Sequence, residues 1–178
     1  MKIFAFAGSV SSTSINRELV KFVLKSFKDD DDINLIDLND YSMPVFSVDL
    51  EKKGFPEEAH LFLKQIEDCD AIICSLAEHN RSYTAAFKNI FDWASRINVK
   101  VFQNKPMLLM STSPGGYGGG NVMNAAKTFF PNFGAEIKET FSLPKFYENF
   151  DLESGIINLD MLTELQNKIE SFKKLAEN

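Results

Sequence analysis

The sequence has only two cysteines, Cys69 and Cys74, too few for a disulfide framework or a cysteine-built metal cluster. Basic charge is scarce as well. Nineteen Lys and Arg stand against 25 Asp and Glu, a formal net charge of -6, whereas a nucleic-acid binder needs a basic surface to meet phosphates. Long apolar runs are missing too. Lys2 to Ala7 is apolar but far too short for a signal-peptide core or a membrane span, and no later stretch reaches membrane length. The expectation is a cytoplasmic protein with no membrane partner. Neither an internal repeat nor a linker interrupts the chain, so residues 1–178 read as one domain.

What the chain has is an ordinary globular balance, 44% apolar and 25% charged, with 17 phenylalanines to fill a core. Short apolar runs alternate with longer amphipathic ones. Ile3 to Ala7 is a continuous apolar run closed by Gly8, as in a strand buried on both faces. Ile15 to Phe27 spaces Leu19, Phe22, Val23 and Phe27 as one helical face. Asp29 to Asp32 is a solvated acidic turn, and Ile33 to Leu38 alternates like an edge strand. Asn39 to Pro56 is a long connection. Glu57 to Cys69 is helical with Leu61, Leu63 and Ile66 inward, and Ala71 to Leu76 is a buried strand holding Cys74 as a small hydrophobe. The rest follows the same rhythm: helices at Thr84 to Ile97, Gly119 to Phe130 and Leu159 to Leu175, strands at Pro106 to Met110 and Ala135 to Phe141. Such alternation predicts an α/β fold, a doubly wound five-stranded parallel sheet in the order 2-1-3-4-5 with helices on both faces.

Ligands of such sheets sit beyond the carboxyl ends of the strands, at the switch point. That selects three loops. The first, Gly8 to Asn16, places five hydroxyls in the six positions from Ser9 to Ser14 and then opens a helix. It has neither a GxGxxG dinucleotide pattern nor a Walker A lysine. Neutral donors at a helix start suit a terminal monophosphate; the plainer reading is a helix cap and turn. The third loop, Ser111 to Gly120, holds five of the nine glycines. It either lets backbone approach a flat ligand or is simply flexible. The middle loop, Glu78-His79-Asn80-Arg81-Ser82, offers polar groups that could bond a heterocycle's edge, although His79 also reads as a solvent-facing histidine, like His60. A phosphatase-type loop is rejected: six residues rather than five lie between Cys74 and Arg81, the acidic Glu78 among them.

Together these motifs make the chain resemble the NAD(P)H-dependent FMN reductase family, which includes flavin, quinone, chromate and azo-dye reductases. The likeness runs from Met1 to about Phe141. It rests on Gly8-Ser9 with Ser14 and Asn16-Arg17, on Pro44 with Asp49-Leu50, and on Glu78 with Asn80-Arg81-Ser82. Lys88-Asn89, Asp92-Trp93, Ser113-Pro114-Gly115 and Gly118-Gly119 complete it. The resemblance implies a flavodoxin-like fold, non-covalent FMN, NADPH or NADH as co-substrate, and a homodimer or dimer of dimers formed through the Thr84–Ile97 helix. By matched position Ser9, Ser14 and Asn16 bind the phosphate, Glu78, His79, Asn80 and Ser82 line the isoalloxazine, and Ser113, Gly115 and Gly116 close on it. Ser11, Ile15, Arg81 and Pro114 belong to the same three loops. The family usually has Arg where this chain has Ser11, which implies looser retention of FMN. It usually has Pro-Glu-Tyr where this chain reads Ala77-Glu78-His79, and Pro-Gly in place of Thr84-Ala85.

The implied reaction passes electrons from the nicotinamide through FMN to a free flavin, a quinone or a similar small acceptor. The cofactor holds the hard chemistry, so no residue is marked as an acid or base, and His79 is the one catalytic candidate. No metal is expected. The alternative is a flavodoxin-like electron carrier without its own NAD(P)H-dependent turnover.

Overall fold

In the computed structural model, which describes residues 1–28 and 30–176, five parallel strands form one sheet. Asp29, at the head of the acidic run, lies outside the described residues. In chain order the elements are β1 (Lys2–Ala7), α1 (Ile15–Leu24), β2 (Asp32–Leu35), α2 (Val48–Glu51), α3 (Glu57–Asp68) and β3 (Ala71–Leu76). They continue with β4 (Glu78–His79), β5 (Ser82–Tyr83), α4 (Ala85–Ile97), β6 (Lys105–Thr112) and α5 (Gly120–Phe129). The last are β7 (Ala135–Leu143), α6 (Phe146–Asn149), β8 (Phe150–Asp151), β9 (Gly155–Ile156) and α7 (Leu159–Ala176). The sheet order is β2-β1-β3-β6-β7, which is the expected 2-1-3-4-5.

Successive strand residues point to opposite faces, and that splits the core in two. Phe4 and Phe6 of β1, Ile72 and Cys74 of β3, and Met107 and Leu109 of β6 pack under α3, α4 and α5. Ile3, Ala5, Ile73, Leu108 and Met110 face α1 and α7 instead. Both faces being covered explains why the central strands read as unbroken apolar runs. Each fully buried Phe or Ile contributes roughly 1.5–3 kcal/mol relative to exposure. On the α3–α4 face Phe6 stacks on Phe87 (5.8 Å, 20°) and meets Phe62 edge-on (5.7 Å, 73°).

Several details differ from the pattern reading. The edge strand stops at Leu35, because the Asp37 side chain accepts the Asn39 N–H and starts a 3-10 turn over Leu38–Tyr41. On α3 it is Phe62 that turns inward, 1% exposed, while Leu61 faces out at 47%; the buried stripe is Ala59, Phe62, Leu63 and Ile66. The helix α1 ends at Leu24, although Phe27 is still buried. The connection after Asn39 is tied down rather than loose. Asn89 accepts the Phe46 N–H and donates to the carbonyls of Met43 and Pro44, and Trp93 Nε1 donates to the Pro44 carbonyl at 2.8 Å. Trp93 is therefore a core residue, 1% exposed.

Candidate functional site

Loops leaving the carboxyl ends of β1, β3 and β6 meet around a cleft of about 310 Å³. A wider hollow of about 550 Å³ lies at the amino end of the sheet, between Lys2, Asp32 and Asp68. It holds no loop from the switch point, so chemistry rather than size selects the first.

Gly8 starts the cleft's framework. A side chain there would crowd Leu76 Cδ2 at 3.0 Å, so glycine lets the ends of β1 and β3 close up without moving Leu76. The Gly8 carbonyl then accepts from Thr84 Oγ1 at 2.8 Å, and the same hydroxyl caps α4 by accepting the Phe87 N–H. Beyond Gly8, Ser9, Ser11, Thr13, Ser14, Ile15 and Asn16 all line the cleft. Ser9 Oγ accepts the Ser11 N–H, Ser11 Oγ accepts the Thr13 N–H, and the Ser11 and Thr13 hydroxyls share one bond at 3.3 Å. This fixes the loop and leaves the Ser9 proton and one of that pair to donate. Ser14 caps α1 by accepting the Arg17 N–H at 3.2 Å. The N–H groups of Ile15 and Asn16 precede the first intrahelical bond, so at this helix start they favour an anion.

Asn16 itself is 2% exposed, and its side chain is committed to the protein. Its Oδ1 accepts from Ser75 Oγ (2.7 Å) and from Thr112 N–H (3.0 Å), and its Nδ2 donates to the Thr112 carbonyl (3.2 Å). The Asn16 side chain thus ties α1 to β3 and β6. Toward the cleft it leaves its backbone.

The middle segment is a hairpin, a feature that the sequence pattern left as a loop. Glu78 pairs with Tyr83 and His79 with Ser82, with Asn80 (φ 51°) and Arg81 (φ 65°) at the turn. Both turn residues take the left-handed conformation that a two-residue hairpin requires, here without glycine. Glu78 and His79 line the cleft, whereas Asn80, Arg81 and Ser82 are exposed at and beside the turn. The Glu78 carboxylate is taken up by α5: it accepts from Val122 N–H at 2.9 Å and from Asn121 Nδ2 at 3.1 Å. Burial pushes the Cys74 thiol well up and leaves it fully inside the sheet, so no thiolate nucleophile faces the hairpin.

The third loop brings Ser113 and Pro114 to the cleft, with Gly115 and Gly116 exposed just beyond. Its glycines divide into two kinds. Gly118 (φ +60°) would place a Cβ 2.9 Å from Pro144 N, and Gly119 (φ +77°) one 3.0 Å from Ser111 Cβ, so the fold itself demands them. Gly115 and Gly116 have no positive φ; a Cβ would meet nothing within 4 Å at Gly116 and only an ordinary contact, Ser113 Oγ at 3.8 Å, at Gly115. The polypeptide does not need glycine there; a close-lying flat ligand would. The residues present therefore fit a flavin mononucleotide, with neutral donors for its phosphate at one end and bare backbone at the other.

Tyr147 also lines the cleft, and nothing in the sequence pattern marked it. It rides on α6, which is fastened to the third loop by Lys145 N–H to Gly115 O (2.9 Å) and Phe146 N–H to Ser113 O (3.1 Å). No group of three or more His, Cys, Asp or Glu able to hold a metal occurs among the described residues.

Fold and cleft together define a flavodoxin-like α/β protein with a mononucleotide-type site at the switch point. Residues 1–148 match the model of NADPH-dependent FMN reductases, and the chain belongs to that family. It is 33% identical over 119 residues to a 2-hydroxy-1,4-benzoquinone reductase of Burkholderia sp, covering 66% of this chain and 63% of that one. The chain thus spans less than two thirds of that relative's length. Against an NADPH:quinone oxidoreductase of Arabidopsis thaliana the identity is 30% over 164 residues, 89% of this chain and 83% of the relative. The flavoenzyme NAD(P)H:(acceptor) oxidoreductase FerB of Paracoccus denitrificans superposes with a TM-score of 0.77 at 25% identity, covering 99% of this chain and 97% of the other.

Proposed function

We propose that the chain, as one FMN-binding unit over residues 1–178, oxidises NADPH or NADH and reduces a small acceptor such as a quinone or a free flavin. The observation that carries this is the pair Gly115 and Gly116, glycines that the fold does not require, set beside a cleft of neutral donors. Family membership and relatives named as quinone reductases support the reading. FMN, when bound, supplies the chemistry, accepting a hydride and releasing electrons to the acceptor.

The chain's own residues have more modest tasks. Ser9, Ser11, Ser14 and the N–H groups of Ile15 and Asn16 hold the phosphate. His79 lies toward the ring, with Asn80, Arg81 and Ser82 at the exposed turn beyond it, and Ser113, Pro114, Gly115 and Gly116 cover its other edge. Glu78 supports this arrangement from behind, through α5. His79, the catalytic candidate, would offer a ring N–H donor to the edge of the flavin.

A homodimer or dimer of dimers through the Thr84–Ile97 helix belongs to the same proposal. It is supported by an aromatic groove of about 290 Å³ beside α4, floored by Phe87 and Phe91 and rimmed by the exposed Lys88–Asp92 pair. No helix among the described residues is long and apolar enough to cross a membrane, and we place the protein in the cytoplasm. The test is NADPH oxidation by purified protein reconstituted with FMN, with a quinone as acceptor. Steady turnover is expected. A bound flavin that is never reduced by NADPH or NADH would favour the electron carrier, and no flavin binding at all would overturn both.

A further inference from the structure

Resting on the FMN reading above, we infer that Tyr147 is a further cofactor-binding residue whose phenol hydroxyl donates to the FMN phosphate. Three observations lead there. The first is charge. No lysine or arginine lines the cleft. Arg17, at the start of α1, is turned away onto Asp37 (2.8 Å) and the Ile36 carbonyl, and Lys145 is paired with Glu148 at 3.0 Å. His79 is the one lining residue able to carry a positive charge. A phosphate dianion held mainly by neutral donors gains from each extra hydroxyl, and bonds to a charged acceptor are the stronger kind.

The second is position. Tyr147 is 72% exposed, yet it lines the same cleft as Ser9, Ser11 and Ser14. It reaches the cleft from the segment fastened to the third loop, whereas the three serines reach it from the first.

The third is that the residue is aimed rather than merely exposed. Its neighbour Phe146 is 2% exposed and stacks on Phe150 at 4.6 Å, which anchors the short helix in the core. Lys145 takes a left-handed conformation, φ 48° and ψ 57°, and donates its N–H to Gly115 O. The Asn149 amide donates to the Pro144 carbonyl at 2.9 Å, and the Asn149 carbonyl accepts the Ile157 N–H at 2.9 Å. With both ends of the segment pinned, Tyr147 is kept at the lining of the cleft, edge-on to Phe146 (5.6 Å, 88°).

The experiment compares FMN with riboflavin, which lacks the phosphate, by titrating flavin fluorescence against wild-type apoprotein, Tyr147→Phe and Tyr147→Ala. Loss of one hydroxyl bond to a charged acceptor should weaken FMN about tenfold in Tyr147→Phe and leave riboflavin unchanged. Equal weakening of both flavins would place the residue on the ring or ribityl chain and overturn the phosphate assignment. Unchanged FMN binding in both variants would remove Tyr147 from the site altogether. Failure of wild type to bind FMN would instead sink the FMN reading, whatever the variants do. Thermal unfolding of the apoproteins checks that the fold is intact, which the exposure of the side chain leads us to expect.

Discussion

Asn16 and Thr112 lie 96 residues apart, yet one side-chain amide satisfies both backbone groups of Thr112, accepting its N–H at 3.0 Å and donating to its carbonyl at 3.2 Å. Asn16 thereby acts on β6 much as a neighbouring strand would, and with Ser75 Oγ on the same oxygen it joins the start of α1 to the carboxyl ends of β3 and β6. Only a short amide has a donor and an acceptor at this spacing.

Replacing Asn16 by Ala should therefore leave buried polar groups of Ser75 and Thr112 unpaired. Each of the three groups costs about 1–3 kcal/mol, so a loss of at least about 3 kcal/mol in urea unfolding is expected. Asn16→Asp should be no better, since a carboxylate would face the Thr112 carbonyl where the amide donated. If either variant is as stable as wild type, the bridge is not what holds the loops.

The two kinds of glycine give a sharper contrast. Gly118→Ala puts a Cβ against the backbone of Leu143 and Pro144 in a left-handed conformation, and should lower stability by about 2 kcal/mol or more. Gly116→Ala meets nothing within 4 Å. It should fold as well as wild type and still weaken FMN binding. Unfolding curves paired with flavin titrations separate the cases, and an unweakened Gly116→Ala would mean that no ligand lies against that stretch.

Much of this was legible in the sequence, and what was not has physical reasons. The central strands announced themselves because both faces are buried, which makes Ile3 to Ala7 and Ala71 to Leu76 uniformly apolar. Periodicity misjudged α3, where Leu61 and Phe62 are adjacent and equally apolar; only the waiting space beside Phe4 and Phe6 decides which turns in. The β4–β5 hairpin stayed hidden because its turn is Asn80-Arg81, with two residues taking positive φ where glycine is the usual sign. The switch-point rule selects the loops and the family resemblance their residues, but the direction of a side chain is a tertiary property. Asn16 and Glu78 spend theirs on the protein, and Tyr147 is brought in by a segment with no motif at all.

Acid should reach the first loop through Asp37. The Asn39 N–H above all, with the Asn39 amide and the Arg17 guanidinium, holds this carboxyl below its ordinary value of 3.8. The Asn39 amide also donates to the Val10 carbonyl at 3.1 Å, so Asp37 steadies the loop at one remove. A depressed folded pKa contributes stability that is complete above the ordinary value and lost as the pH falls through the lower, folded one. The Tm gap between wild type and Asp37→Ala should be constant near neutrality and shrink below pH 3.8. Both partners are partly exposed, at 27% and 37%, so the gap should correspond to at most about 1 kcal/mol. A gap independent of pH down to acid unfolding would show that the charge on Asp37 does not contribute.

Glu78 poses the last question, since an acidic side chain in a cleft proposed to hold a phosphate needs an explanation. The start of α5 supplies it. The N-cap there is Gly119, which has no side chain to offer, and Glu78 caps the helix from a neighbouring loop through Val122 N–H and Asn121 Nδ2. A carboxylate at the positive end of a helix dipole is favourably placed, so its charge is answered locally. Glu78→Ala should cost about 1–2 kcal/mol, the usual range for a lost cap. Glu78→Gln, which keeps an acceptor but not the charge, should cost about half as much. Hydrogen exchange gives the specific readout. The Val122 amide should exchange faster in Glu78→Ala while amides of β1 and β3 keep their protection. Unchanged protection at Val122 would mean that the carboxylate does not cap α5, and its charge would then have to be answered within the cleft itself.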